Sequence, residues 1–225
     1  MYLNFLKRIF TSLVLLLILF VCLFLNKFLW IYLLLFSSAI SFFEFNNLLK
    51  KIFKKKTNKI YLFNIISFFY LISFVYIGNY YYGSLNLILV LAVCIFSDTG
   101  GYLVGKLIGG KKLTKISPNK TISGSIGSFI FSLFSIIVLA YISDNLAKID
   151  YSLKIISDDL IVLVFICLFL SLICQLGDLF FSYFKRLAKI KDTGNILPGH
   201  GGLLDRIDGF IFVLPSIFLI ERLIS

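Results

Sequence analysis

Long apolar runs alternate with short polar stretches along the whole chain. The runs cover residues 9–25, 28–46, 59–78, 85–104, 124–142, 160–181 and 209–224. Each run is close to the length that crosses the hydrocarbon layer as a helix, since a span needs about 20 apolar residues and lipid leaves backbone groups no outside partner. The pattern predicts an all-α, polytopic integral membrane protein with about seven transmembrane helices, and from six to about nine fit it.

Composition supports a membrane protein. The 225 residues are 60% hydrophobic and 15% charged, whereas a soluble domain is about half apolar and about a quarter charged. A net charge of +11 would suggest nucleic acid in a soluble protein, but a membrane protein uses basic residues for orientation and for contact with anionic lipid. We therefore expect the lipid bilayer as a partner and no nucleic acid. The four cysteines lie inside apolar runs without CxxC spacing, which argues against a zinc site or disulfide framework.

The basic residues indicate the orientation of the chain. Eighteen of the 22 Lys and Arg fall at the N-terminus and in three alternate polar stretches, around residues 50–59, 106–120 and 185–206. Cytoplasmic loops hold such an excess. The distribution predicts a cytoplasmic N-terminus, an outer C-terminus and a multi-pass protein of the cell inner (plasma) membrane. The lysine-rich stretch at 50–59 is interpreted as a topology anchor, with contact to acidic lipid as the alternative.

Two cytoplasmic stretches, 98–127 and 178–208, concentrate the polar chemistry. We divide the chain into N-terminal transmembrane helices (1–84) and a catalytic transmembrane core (85–225) with its site on the cytoplasmic face. Asp178, Ser182 and Lys185 follow i, i+4, i+7 spacing, so a continuing helix projects them from one face, with Arg186 beside them. Ionisable groups this close to hydrocarbon indicate function. The alternative is that Asp178 is only a structural partner of Lys185.

The last helix begins with two more carboxylates. Asp205 and Asp208 are three residues apart and flank Arg206, and capping of the helix N-terminus explains one of them. Together with Asp178 and the nearby cations, they compose what a magnesium-dependent reaction of a nucleotide requires. The sequence therefore predicts phosphoryl or nucleotidyl transfer.

Other polar residues of the two stretches have open interpretations. His200 is a base, a donor to phosphate or only a loop residue. The stretch 98–127 lacks Walker spacing, and its glycines at 101, 105 and 109 suit close helix packing in lipid. The pair Lys120-Thr121 precedes a new helix, where backbone donors favour a phosphate.

The spacing of these residues carries a resemblance. The pattern consists of Ser182, Lys185, Arg186, Lys191, Asp192, Gly194, Leu197, Pro198, Gly199, His200, Gly201, Gly202, Asp205, Arg206 and Asp208. It resembles the C-terminal signature of the phosphatidate cytidylyltransferase family, also called CDP-diacylglycerol synthases. The stretches 98–105 and 117–121 are similar to a second, looser motif of that family. Ile122 and Ser123 stand where the family commonly has an aromatic and an acidic residue, so no ligand role is carried over to them.

The resemblance implies a reaction in phospholipid biosynthesis, in which CTP and phosphatidic acid give CDP-diacylglycerol and pyrophosphate. It implies Mg²⁺ as cofactor, K⁺ as a candidate second cation, and a homodimer by analogy. Asp178 and Asp205 would hold the metal, and Lys185 and Arg186 would neutralise phosphates. Asp208 would orient Arg206 or a metal-bound water. The expected substrate-binding residues are Asp98, Lys120, Thr121, Ser182, His200 and Arg206.

Two other functions fit parts of the pattern. A CTP-dependent polyprenol or phytol kinase would transfer a γ-phosphoryl group to an alcohol, and it would need a base for the hydroxyl proton. A small transporter would place charge near the middle of the bilayer in broken helices. The candidate carboxylates instead map to one interface, which disfavours the transporter.

Overall fold

Helices make up nearly all of the regular structure in the computed structural model, which describes residues 2–54, 56–146, 159–197 and 201–224. The helices are α1 (Tyr2–Phe24), α2 (Lys27–Phe53), α3 (Thr57–Tyr80), α4 (Leu85–Ile108), α5 (Ile122–Ser132), α6 (Phe134–Leu146), α7 (Leu160–Leu187) and α8 (Leu204–Ile224). Within these residues the β-type contacts are two isolated bridges, Lys112 with Thr121 and Leu197 with Gly201. The all-α prediction is confirmed.

Five helical stretches of the described chain are long and apolar enough to cross a membrane. They are Lys27–Phe53, Thr57–Tyr80, Leu85–Ile108, Ile122–Ser143 and Leu160–Leu187. The fourth combines α5 with most of α6. The first predicted run corresponds to the shorter apolar helix Leu13–Phe24, and the last lies in α8, whose ends carry several charged residues. Five of the predicted spans therefore meet this criterion, and the chain is a multi-pass membrane protein.

The helices extend further into the polar stretches than the sequence pattern predicts. α4 continues to Ile108 and α7 to Leu187, beyond the predicted runs that end at 104 and 181, and Asp98 and Asp178 lie inside these helices. Two local features favour these extensions: the glycines of α4 face another helix, and basic residues in the last turn of α7 complement the helix dipole. The connecting segments shrink to residues 109–121 and 188–203.

The chain divides into two compact units. The first unit comprises Met1–Tyr82 and Tyr183–Ile207, and the second comprises Gly83–Ser182 and Asp208–Ser225. The segment 183–207 thus groups with the N-terminal helices, although the sequence analysis assigned it to the catalytic core. The functional division between residues 1–84 and 85–225 stays a prediction.

In the first unit, α2 and α3 pack as a hairpin with polar contacts at two levels. The indole Nε1 of Trp30 donates to the carbonyl of Gly78 at 2.8 Å. The amide Nδ2 of Asn64 donates to Oδ1 of Asn46 at 3.0 Å. Interhelical hydrogen bonds of this kind are worth about 0.6–2 kcal/mol in membranes. They fix how α3 lies along α2.

In the second unit, α4 and α5 approach until their backbones touch. A Cβ at Gly100 would lie 2.6 Å from the carbonyl oxygen of Gly127, and a Cβ at Gly127 would lie 2.8 Å from that of Gly100. Ser128 Oγ donates to the carbonyl of Ser97 at 2.8 Å across the same contact. Small residues permit this packing where lipid offers no hydrophobic driving force between helices.

The glycines that the sequence singled out for packing divide into two groups. Gly101 and Gly105 face α5, where an added Cβ would meet Ser128 Oγ at 2.6 Å and Thr121 Oγ1 at 3.1 Å, respectively. Gly109 has open space around it and a φ of +64°, and it ends α4. The packing interpretation is thus right for two of the three positions.

We expect Gly100→Ala to lower the free energy of unfolding by about 1–3 kcal/mol, because the new methyl group overpacks a backbone contact. The measurement is the thermal unfolding midpoint of the purified protein in detergent. Ile126→Ala is the control, since Ile126 lies on the same helix pair and is 54% exposed. Equal midpoints for Gly100→Ala and the control would contradict the close packing.

Candidate active site

The second unit contains a cluster of three polar side chains, two on α7 and one in the loop between α4 and α5. Ser182 Oγ donates to Asp178 Oδ1 at 3.2 Å, and Lys120 Nζ lies 2.5 Å from Asp178 Oδ2. We call Lys120, Asp178 and Ser182 the Asp178 cluster. The predicted helical continuation of α7 is confirmed, but the cation that pairs with Asp178 is Lys120 and not Lys185. The alternative role for Asp178, as a partner of Lys185, is therefore wrong.

A closed loop positions Lys120 for this ion pair. The amide of Leu113 donates to the carbonyl of Lys120 at 2.8 Å, and the amide of Ile122 donates to the carbonyl of Lys111 at 3.0 Å. Thr121 is the N-cap of α5 and its Oγ1 accepts from the amide of Gly124 at 3.0 Å. The predicted helix start after the Lys-Thr pair is confirmed, and the bridge fixes Lys120 at the base of the loop.

Ser123, one of the two departures from the family pattern, has a structural contact here. Its Oγ donates to the carbonyl of Gly109 and lies 3.0 Å from Thr121 Oγ1. Ile122, the other departure, is exposed. These positions join the end of α4 to the start of α5, consistent with carrying over no ligand role to them.

Further polar groups lie in the same unit. Asp98 Oδ1 accepts a weak hydrogen bond from Cys174 Sγ at 3.8 Å. Asp208 is buried, and its Oδ1 accepts from the amide of Gly209 at 2.8 Å. Gln175 Oε1 accepts from Ser125 Oγ at 2.5 Å. Asp208 is thus buried near the start of α8, whereas Asp98 is exposed on α4.

The first unit contains a second cluster, centred on Asp205. Asp205 Oδ1 accepts from Lys185 Nζ at 2.7 Å. Asp205 Oδ2 accepts from the backbone amides of Thr193 and Gly202 at 2.8 and 3.1 Å, and from Thr193 Oγ1 at 3.0 Å. The Lys185 and Asp205 side chains are 14% and 7% exposed. We call Glu44, Lys185, Thr193, Gly202 and Asp205 the Asp205 cluster.

Glu44 is the member that the sequence analysis missed. It lies on α2 with 4% of its surface exposed. Its carboxylate accepts from the amides of Leu203 and Leu204 at 3.1 and 2.9 Å, and from Thr193 Oγ1 at 2.9 Å. A signal was present, because Glu44 is the only acidic residue among the first 97 and it lies in an apolar run.

The surroundings of Asp205 favour its ionised form. Burial by itself would raise the pKa of Asp205, but the hydrogen bond from Lys185 and those from the Thr193 and Gly202 amides hold it below its ordinary value. Hydrogen bonds to a carboxylate favour the charged state. Asp205 is therefore a fixed negative charge at neutral pH.

The remaining predicted site residues lie outside these two clusters or outside the described chain. Arg186 and Arg206 are exposed on the last turn of α7 and the first turn of α8. His200 lies outside the residues that the structure describes, as do Pro198 and Gly199. The assignment of His200 therefore stays a prediction.

Each cluster pairs a carboxylate with a lysine. Within the described residues, no three side chains of His, Cys, Asp or Glu converge as a metal site. Asp178 and Asp205 each present an oxygen to a cation, which at present is a lysine ammonium. Carboxylate oxygens are ligands that Mg²⁺ accepts, and Mg²⁺ commonly takes only one or two of them and completes its shell with water and substrate phosphates.

The fold and these clusters define a multi-pass, all-α membrane protein in which two helix-borne carboxylates, Asp178 on α7 and Asp205 on α8, are each paired with a lysine. Comparison with known families then identifies it further. The sequence model of the Cytidylyltransferase family matches residues 50–224. The chain belongs to this family.

Known relatives are similar over a large part of the chain. The Phosphatidate cytidylyltransferase of Bacillus subtilis (strain 168) is 43% identical over 145 residues, which are 64% of this chain and 50% of the relative. That of Staphylococcus haemolyticus (strain JCSC1435) is 45% identical over 138 residues, 60% of this chain and 49% of the relative. That of Staphylococcus aureus (strain COL) is 47% identical over 128 residues, which are 56% of this chain and 45% of the relative. The chain spans about half the length of the curated relatives it matches.

The Asp205 cluster gives a prediction for stability. Asp205→Asn leaves the largely buried Lys185 without its ion-pair partner, so we expect a loss of about 3–5 kcal/mol at neutral pH. The folded-state pKa of Asp205 lies below its ordinary value. The contribution of the ionised Asp205 to the free energy of unfolding is therefore complete above the unfolded-state pKa of about 3.9. It is lost as the pH falls through the folded-state pKa.

The measurement is the unfolding midpoint in detergent at neutral pH and below about pH 4. We expect the difference in unfolding midpoint between wild type and Asp205→Asn to become smaller at acidic pH. Asp159→Asn is the control, because the Oδ1 of Asp159 caps the start of α7 and asparagine caps as well. A difference in unfolding midpoint that is absent at neutral pH, or that becomes larger in acid, would contradict the stabilising role of the ionised Asp205.

Proposed function

We propose that this chain is a magnesium-dependent nucleotidyltransferase that converts CTP and phosphatidic acid to CDP-diacylglycerol and pyrophosphate. The family and the relatives named Phosphatidate cytidylyltransferase support this function. The observation that carries it is the Asp205 cluster. Its lysine, threonine, glycine and aspartate all lie in the segment that resembles the family signature, and they are organised around one ionised carboxylate.

The proposed reaction needs positive charge more than it needs a base. A phosphate oxygen of phosphatidic acid attacks the α-phosphorus of CTP, the bond from that phosphorus to the bridging oxygen breaks, and pyrophosphate leaves. The nucleophile is already an anion, so no hydroxyl proton has to be removed. Negative charge develops on the oxygens around the α-phosphorus, and preorganised cations stabilise it. Lys185 and Arg186 are the proposed catalytic cations.

Lysines that already have carboxylate partners suit such a role. Lys120 Nζ is 2.5 Å from Asp178, and Lys185 Nζ is 2.7 Å from Asp205. These pairs hold each ammonium group in place before a phosphate arrives, which reduces the conformational entropy lost on binding. The phosphates of the substrates would then share each lysine with its carboxylate.

The remaining proposed contacts are polar groups that suit phosphate or sugar. Ser182 and Thr121 carry hydroxyl groups, and Arg206 is an exposed cation. Asp98, also in this group, is an acceptor that suits a ribose hydroxyl. His200 is included from the family signature alone. Asp208 is proposed to orient Arg206 or a bound water.

Mg²⁺ is proposed as the cofactor, with Asp178 and Asp205 as its ligands. Each of these carboxylates directs an oxygen at a cation, which fits a hard divalent ion. When bound, the ion would neutralise phosphate oxygens and orient them for displacement. K⁺ is the proposed second cation. A carboxylate that binds the ion would exchange its lysine contact for a metal contact.

The proposed site of action is the cytoplasmic face of the cell inner (plasma) membrane. The basic residues of alternate polar stretches support this side. An interfacial location suits the two substrates, because CTP arrives from water and the acyl chains of phosphatidic acid stay in lipid. A homodimer is proposed from the family resemblance.

The orientation has its own test. Single cysteines placed at Lys51 and Lys112, in a cysteine-free background, are expected to be closed to a membrane-impermeant maleimide in intact cells and open to it in inverted vesicles. Tyr82, in the turn between α3 and α4, is the control position with the opposite expectation. Labelling of Lys51 and Lys112 positions from outside would contradict the proposed orientation.

The function is tested with membranes that contain the chain, α-labelled CTP and phosphatidic acid. We expect label in CDP-diacylglycerol for the wild type, and a loss of at least about 100-fold for Asp178→Ala and Asp205→Ala, because each loses a candidate metal ligand and the partner of a lysine. Removal of Mg²⁺ with a chelator should abolish the label, and added Mg²⁺ should restore it. Asp159→Asn is the matched control and should retain full activity.

Two results would overturn this proposal. The first is an inert wild type with phosphatidic acid together with transfer of γ-label from CTP to a polyprenol, which would favour the lipid kinase. The second is activity in Asp178→Ala and Asp205→Ala equal to that of the control, which would exclude both carboxylates from the site.

A further inference from the structure

The carboxylate of Glu44 lies on a helix that is apolar enough to span the membrane, where an uncompensated charge is costly. It accepts hydrogen bonds from Thr193 and Leu203, which lie between α7 and α8, and from Leu204, the first residue of α8. We propose that Glu44 is a positioning residue that holds Thr193, Leu203 and Leu204 in the arrangement that surrounds Asp205. The catalytic part of this inference rests on the proposed function, whereas its structural part does not.

Both oxygens of Glu44 are used, and each has a different partner. Oε1 accepts from the amide of Leu203 at 3.1 Å, and Oε2 accepts from the amide of Leu204 at 2.9 Å. These amides stand at the start of α8, where helix N–H groups have no partner inside the helix. Glu44 therefore supplies from α2 the cap that the first turn of α8 needs.

The hydroxyl of Thr193 connects Glu44 to Asp205. Thr193 Oγ1 lies 2.9 Å from Glu44 Oε2 and 3.0 Å from Asp205 Oδ2. A hydroxyl group has one proton and donates to one acceptor at a time. The same residue also donates its backbone amide to Asp205. A shift of the Glu44 carboxylate would therefore move two of the donors that hold Asp205, and through Asp205 the ammonium of Lys185.

Two glycines of the signature are required by the position of this carboxylate. A Cβ at Gly202 would lie 2.5 Å from Glu44 Oε2, and a Cβ at Gly194 would collide with Glu44 Oε1 and approach its Cδ at 3.0 Å. The segment can close around Glu44 only because both positions lack side chains. Removal of the carboxylate should then relieve the restriction at Gly194.

The contacts distinguish glutamate from its isosteric amide. Glutamine keeps one acceptor oxygen and replaces the other with an NH₂ group, which would face a backbone N–H donor. One of the amides of Leu203 and Leu204 would lose its partner. Glu44→Gln is therefore expected to release the segment although it preserves size and shape.

The experiment combines amide hydrogen exchange with steady-state kinetics on the purified full chain in lipid nanodiscs. The variants are Glu44→Gln and Thr193→Val. The matched control is Asn46→Leu, which removes a hydrogen bond from the same helix, the one that Asn46 accepts from Asn64 on α3. Exchange is followed in peptides that cover 192–205 and, as a reference, in peptides from α5.

In Glu44→Gln we expect exchange at least about 10-fold faster in 192–205 and unchanged in α5, because opening is local. We expect kcat to fall about 10- to 100-fold with little change in KM for phosphatidic acid, as for loss of a group that orients a ligand. Asn46→Leu should leave both the exchange rate in 192–205 and kcat close to the wild-type values. Thr193→Val should reproduce part of the kcat effect, and its effect should not add to that of Glu44→Gln, since both act on one network.

A double-mutant cycle between positions 44 and 194 gives a second measurement. Gly194→Ala should reduce kcat strongly in the wild type, but it should add no further loss in a Glu44→Ala background, where the colliding carboxylate is absent. Unchanged exchange in 192–205 for Glu44→Gln would overturn the positioning role. So would fully additive effects of Gly194→Ala and Glu44→Ala.

The outcomes separate this inference from the proposed function. A wild type that makes no CDP-diacylglycerol, with exchange that still rises locally in Glu44→Gln, would overturn the function and retain the structural role. An active wild type with unchanged kcat in a folded Glu44→Gln would overturn the positioning role and retain the function. Failure of Glu44→Gln to fold leaves Thr193→Val and the Gly194→Ala pair to decide the same question.

Discussion

Buried carboxylates require hydrogen-bond donors from the protein itself, and this constraint organises the residues around Asp205 and Glu44. Asp205 and Glu44 together accept from four backbone amides, one hydroxyl and one ammonium group. The converging hydrogen bonds hold Thr193, Gly202, Leu203 and Leu204 around the two carboxylates.

In the second unit, small residues allow the helices to pack closely and to pair their polar groups. The backbones of α4 and α5 touch at Gly100 and Gly127, and serine hydroxyls find carbonyl or hydroxyl partners between helices. The close contact brings the end of α4 and the start of α5 together, and the loop between them is short enough to be closed by a single bridge. The contact between α4 and α5 and the bridge together fix the position of Lys120.

The sequence predicted the helices well because lipid permits almost no alternative for a long apolar run. It also predicted the start of α5 after Lys120-Thr121 and the helical continuation that places Asp178 and Ser182 on one face of α7, since both depend on local helical geometry. It could not predict which lysine pairs with which aspartate, because the two partners of each pair come from different helices and loops. The same limit applies to Glu44, whose donors lie about 150 residues further along the chain.

The position of Glu44 also changes how the N-terminal helices should be regarded. The family model begins at residue 50, so α2 enters it only through its last turn, and on that criterion the preceding helices would count as exchangeable membrane anchors. The hydrogen bonds of Glu44 make α2 part of the same cooperative structure as the signature segment. A chimera that takes its first helices from another membrane protein would need an acidic residue at this depth and on this face. Sequence variation in the N-terminal helices is therefore constrained at one position by residues far along the chain.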